Sequence, residues 1–171
     1  MALQAMWVAG HAARLEIPGG DTIIDDRPML NVSGIGGTDL LGIPQGPGIT
    51  YRGKAGKGNW FHFSIPTPTF FRRAPGDEGF AQLVRVFVAG RFLQRSTRLD
   101  MVHVWDGDTQ LPTFEGLDVA GDFRNLAATT FTLPQPRQVF RGVGLSVHIS
   151  FGTENATVGF TAAGADFEVR D

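Results

Sequence analysis

A chain of 171 residues without a cysteine fits one domain, residues 1–171, held by a buried core alone; disulfides and thiolate metal sites are excluded together, while the redox compartment stays open. With 15 basic and 17 acidic residues, a net charge of −2, it lacks the polyelectrolyte signature of a nucleic-acid partner. The 23 glycines and 10 prolines punctuate short runs of β-branched and aromatic residues, and no stretch keeps a helical apolar period, so an all-β fold is expected.

The opening Met1-Ala2-Leu3-Gln4-Ala5-Met6-Trp7-Val8-Ala9-Gly10 is apolar, has no basic residue ahead of it and is too short to span a bilayer. It reads as a first strand over Ala5 to Val8, followed by another over Ala13 to Ile17. No window approaches the ~18 consecutive apolar residues of a membrane span. The expected address is the cytoplasm, with export by a route that uses no cleaved signal left open.

From Asp26 to Gly58 the pattern breaks into glycine clusters, with strand formers only over Ile49 to Arg52. This is expected to be a long Gly-rich loop or arm. Its scattered apolar residues, among them Met29, Ile35 and Leu40, are more than a disordered tract carries, so it either folds over its own domain or packs on a neighbouring subunit.

Further strands are expected over Trp60 to Ile65, Gln82 to Ala89, Leu99 to Trp105, Leu117 to Ala120, Thr129 to Leu133, Gly144 to Phe151, Ala156 to Ala162 and Asp166 to Val169. Short strands at turn-separated intervals point to a two-sheet antiparallel β-sandwich, jelly-roll-like. In the segment from Leu145 to Phe151 the odd positions are apolar while Ser146, His148 and Ser150 are polar, so one face meets the core. Val84, Val86 and Val88 oppose Leu83, Arg85 and Phe87; that second face mixes large apolar groups with a charge and needs a cover from another sheet edge or another subunit.

Several motifs invite chemical readings. Lys54 and Lys57 lie in a Gly-rich stretch, but Tyr51 and Gly58 stand where a phosphate loop needs Gly and Ser or Thr. His11, His62, His103 and His148 include no His-x-His pair of the cupin kind, and read as surface or interface residues. Trp105-Asp106-Gly107-Asp108 is a tight turn or, with Asp100 or Asp122, a calcium loop. Trp60, His62, His103, Trp105, Asp106 and Asp108 are the candidate ligand-binding residues: indoles stack on sugar rings while polar groups hold hydroxyls, unless the tryptophans belong to the core. There is no Gly-x-Ser-x-Gly elbow, and the acid pairs Asp25-Asp26 and Asp77-Glu78 read as solvated.

The stretches Met6-Trp7-Val8, Asn59-Trp60-Phe61-His62 through Ile65-Pro66-Thr67-Pro68, Val102-His103-Val104-Trp105-Asp106-Gly107, Phe114-Glu115-Gly116-Leu117 and Gly121-Asp122 occur in a set order. They continue with Phe131-Thr132-Leu133-Pro134, Gly142-Val143-Gly144-Leu145-Ser146-Val147 and Phe160-Thr161-Ala162-Ala163-Gly164-Ala165-Asp166-Phe167. Together they resemble an uncharacterised bacterial family of small all-β proteins, catalogued as a domain of unknown function. Similar sequences tend to have His-Ser after the Gly-Asp, where this chain has Phe123-Arg124, and its Gly-rich arm is longer. The resemblance implies a compact β-sandwich that stands alone and transfers no catalytic residue.

These readings lead to an expected non-enzymatic structural or interaction protein that self-associates into a homo-oligomer or larger assembly. The alternative is a lectin-like module for a carbohydrate or small ligand, and an enzyme of unrecognised type is a third. No cofactor, nucleic acid or membrane span is expected.

Overall fold

The computed structural model describes residues 3–16, 23–25, 48–68, 71–74 and 77–169. Its strands are β1 (Leu3–Ala9), β2 (Arg14–Leu15), β3 (Ile23–Asp25), β4 (Ile49–Gly53), β5 (Lys57–Ile65), β6 (Phe71–Ala74), β7 (Asp77–Gly79), β8 (Ala81–Phe92), β9 (Arg98–Asp106), β10 (Thr109–Val119), β11 (Thr130–Gln138), β12 (Val143–Phe151) and β13 (Ala156–Val169). A 3-10 turn, Gly10–Ala12, links β1 to β2. Among the described residues no helix is long and apolar enough to cross a membrane.

The first sheet runs β11-β8-β13-β4-β3, with β1 also on β13; the second runs β10-β9-β12-β5-β2; β6 and β7 form a separate ribbon. Counting only β4, β5, β8, β9, β10, β11, β12 and β13, in chain order, the first sheet reads first, eighth, third, sixth and the second reads second, seventh, fourth, fifth, with every neighbour antiparallel. That order is two interlocked Greek keys, a jelly roll.

Alternation along the strands fills the space between the sheets. Phe61, Phe63 and Ile65 of β5 and Leu145, Val147, Ile149 and Phe151 of β12 point inward, toward Val158, Phe160, Ala163, Ala165 and Phe167 of β13, and all are buried. Phe160 ties the layers: its ring lies 5.0 Å from that of Phe61 and 5.4 Å from that of Phe63.

Two expectations change because of bulges. Between Phe167↔Leu83 and Asp166↔Arg85 the pairing of β13 with β8 slips by one residue, leaving Val84 unopposed. Leu83 therefore turns inward with Val86 and Val88, whereas strict alternation had set it against them. A second slip, between Phe160 and Ala162, places a bulge at Thr161, and β13 runs through as one 14-residue strand where two were expected. The outward-facing Phe87 is covered by the chain's own β1: Trp7, Gly164 and Phe87 stand in one row across three strands, and the two rings are 4.1 Å apart. A Cβ at Gly164 would fall 2.4 Å from the Met6 carbonyl oxygen and 2.4 Å from the Phe87 ring, so this row requires glycine.

The expected arm changes character over the part that is described. Residues 26–47 lie outside the described residues, whereas Ile49–Gly53 is a ladder strand on β13 and Lys57 and Gly58 already belong to β5. Lys54 and Ala55 sit in the turn between them. The amide of Ala55 donates to Asn155 Oδ1 and that of Gly56 to the Phe151 carbonyl, so these N–H groups tie the loop before β13 and form no anion nest.

Candidate functional site

The positions that alternate with the core on β5, β9 and β12 form the outer face of the second sheet. His62, Ser146 and His103 stand side by side on three strands, Trp60 lies opposite His148, and Trp105 lies beside Gly144. Trp60, His62, His103 and Trp105 all lie half-buried on this outer face, so the two indoles are not core residues.

The Trp60 ring is flanked by two imidazoles, His103 at 4.5 Å and His148 at 4.9 Å. Trp105 Nε1 donates to Ser146 Oγ at 3.0 Å, and the same oxygen lies 2.8 Å from His62 Nδ1. At the other end a bulge in β9 leaves Asp100 unopposed between Leu99 and Met101 and brings it to His148, with Oδ1 2.6 Å from Nδ1. Ser150 Oγ donates to the second oxygen of Asp100. A carboxylate only accepts, so His148 carries its proton on Nδ1 in this arrangement. Ser150 and His148 bond the same carboxylate rather than each other, so the trio lacks the serine-to-imidazole bond that activates a nucleophile. His103 Nε2 is buried without a hydrogen-bond partner among the described residues; Glu115 Oε1 of β10 stands 3.8 Å away.

Asp106 and Asp108 are not part of this face. They flank Gly107, which takes φ +61° in the turn between β9 and β10, the tight-turn reading of the sequence. Asp106 accepts from the amides of Phe140 (2.9 Å), Arg141 (2.7 Å) and Gly142 (3.1 Å), and so clamps the loop between β11 and β12. Burial alone would raise its pKa, but these three N–H groups, helped by the Arg141 charge, hold it below the ordinary carboxylate value. Asp108 pairs with the Arg141 guanidinium.

The four carboxylates of the calcium reading thus serve separate partners: Asp100 holds His148 and Ser150, Asp106 holds backbone, Asp108 holds Arg141, and Asp122 is clasped by Arg124, whose guanidinium and amide bring it down to about 2. No group of three metal-ligating side chains is gathered among the described residues. Phe123 is buried against Phe92. The side chains of His11, Asp25, Asp77 and Glu78, and Asp26 altogether, lie outside the described residues.

No protein-family model matches the chain, and no curated protein or solved structure is significantly similar to it. Sequence reasoning singled out Trp60, His62, His103 and Trp105 but missed Ser146, His148 and Asp100 as their partners. The polar positions of β12 were visible in its alternation; the bulge at Asp100 had no signal.

Proposed function

We propose that the protein is a non-catalytic interaction module that self-associates through the outer face of the second sheet. The observation that carries this reading is a patch whose centre is aromatic and whose polar groups, apart from His103 Nε2, largely bond one another: His62, Ser146 and Trp105 on one side, His148, Asp100 and Ser150 on the other. Such a centre can be dehydrated against a second surface at little cost, and a charged rim around an aromatic core is how interfaces are built.

Two further features favour a second copy as the partner. Arg14 on β2 and Glu115 on β10 bound opposite edges of the patch, so a two-fold axis parallel to the strands sets Glu115 of one copy over Arg14 of the other. Addition of strands at the edges is disfavoured where β10 and β11 end the sheets, because Pro112, Pro134 and Pro136 fall within their register breaks and offer no N–H. Four long strands spaced ~4.8 Å apart, with about six residues of each in the patch, give roughly 400 Å² per copy, at the low end for a specific contact. The association is therefore expected to be concentration-dependent, with a Kd on the order of micromolar. Light scattering or mass photometry over a dilution series should show a particle larger than one chain that Trp60→Glu dissociates; a monomer of unchanged mass up to roughly 100 micromolar would overturn the reading.

A second reading, glycan binding, is favoured by the half-exposed Trp60 and Trp105 rings with the Asp100 and Glu115 carboxylates beside them. Binding on a glycan array that is lost in the Trp60→Ala/Trp105→Ala double variant would support it, and an array with no binding would remove it.

A further inference from the structure

A cleft of about 690 Å³ opens at the edge of the sandwich, lined from β10 of the second sheet and from the end of β11 and the following loop. It adjoins the aromatic face at Gln110, which pairs with Trp105, and its size is that of a site for a small organic molecule. Leu111 and Pro112 of the lining fall where β10 breaks its register with β9, and Arg137 stands where β11 re-enters its ladder after a break of its own.

Its lining is chemically specific. Arg137 is exposed and has no ion-pair partner among the described residues. Arg141 uses Nη1 on Asp108, which fixes its side chain while leaving other N–H groups of the fork unused. Asp106, the carboxylate in the lining, has both oxygens bonded to backbone amides and makes no hydrogen bond to either guanidinium, though its charge is felt by Arg141. Gln110 and Gln138 add neutral donors. Phe140 is held by its own amide bond to Asp106 yet leaves 67% of its surface in water, an apolar ring kept exposed beside two cations.

We infer that this cleft binds a small organic monocarboxylate with an apolar or aromatic body, the carboxylate on Arg137 and Arg141 and the body against Phe140. Arg141 is already paired with Asp108, so Arg137, the cation in the lining without an ion-pair partner among the described residues, is the anchor for a single negative charge, with the unused N–H groups of Arg141 as further donors; the planar guanidinium fork matches a carboxylate's two oxygens. Phe140 then discriminates by area, favouring an anion with a ring or chain over a bare one.

The test is an NMR titration of the ¹⁵N-labelled full chain with phenylacetate, 2-phenylethanol and inorganic phosphate in parallel, at low ionic strength. Phenylacetate should give saturable shifts at the amides of Gln110, Gln138 and Phe140, with a Kd on the order of millimolar. The neutral alcohol and inorganic phosphate should each bind at least about tenfold more weakly, as should phenylacetate to Arg137→Met and to Phe140→Ala. Both substituted side chains are exposed, so these variants keep the fold. No shifts at these amides, equal binding of the alcohol, equal binding of phosphate, or an unchanged Kd in Arg137→Met would each overturn the assignment. Trp60→Glu should leave this titration unaltered, which separates its failure from that of the self-association reading.

Discussion

Replacing Asp106 by Asn tests whether this residue is a clamp rather than a ligand contact. The substitution keeps the shape but removes the charge and turns one of two acceptor oxygens into a donor. If the remaining carbonyl keeps Arg141 and Gly142, the new NH2 group faces the Phe140 amide, donor against donor. A hydrogen bond to a charged group contributes roughly 1.5–3 kcal/mol, but the amides of Phe140 and Arg141 belong to exposed residues and regain water, so the net loss should be about 2–4 kcal/mol. The lowered pKa sets the sign with pH: the carboxylate's stabilisation is full above the unfolded value of about 4 and fades as pH falls through the lower folded value. Urea unfolding at pH 7 should therefore separate wild type from Asp106→Asn clearly, and the gap should shrink when both are measured near pH 3. Coincident curves at pH 7, or a gap that is the same at both pH values, would refute the clamp.

Tyr51, the chain's one tyrosine, is buried and donates to the Ala13 carbonyl at 2.9 Å; burial, partly opposed by the Arg14 charge, raises its pKa to about 12. A folded value above the unfolded one means full stabilisation below about pH 10, lost as pH rises toward 12, amounting to about 3 kcal/mol. Phenolate absorbance should appear together with unfolding in that window, and phenolate formed near pH 10 with the fold intact would contradict it. Gly164→Ala should force β1 away from the sheet at about 1–3 kcal/mol, seen as faster amide exchange across Leu3–Ala9 and a red shift of Trp7 emission. Unchanged exchange there would show that the Met6 backbone yields easily.

The sandwich was legible because its strands obey strict alternation wherever they pair without interruption: the polar and apolar sets of β12 predicted its two faces. What alternation cannot show is an inserted residue. The bulges at Val84, Asp100 and Thr161 each reverse the facing of the residues beyond them, and each has a consequence: an inward Leu83, a carboxylate beside His148, an unbroken β13. Most of β10 was missed because Gln110, Pro112, Glu115 and Gly116 are poor strand formers that an edge position tolerates. The role of Asp106 was half visible: the Asp-Gly turn could be read, but its grip on residues 140–142 depends on a loop more than thirty positions away.

The position of β13 gives the molecule an order of assembly. It lies between β8 on one side and β4 and β1 on the other, so β1 has no ladder, and the β11–β8 and β4–β3 pairs stay unjoined, until residues 156–169 are in place. The four main strands of the second sheet, β5, β9, β10 and β12, need nothing after residue 151 for their ladders. Because pairings between distant segments close late, the second sheet should acquire amide protection first during refolding, with β1 waiting for the two ends of the described chain to meet across Gly164. Pulsed hydrogen exchange would read that sequence directly, and simultaneous protection of both sheets would replace it with a single concerted closure.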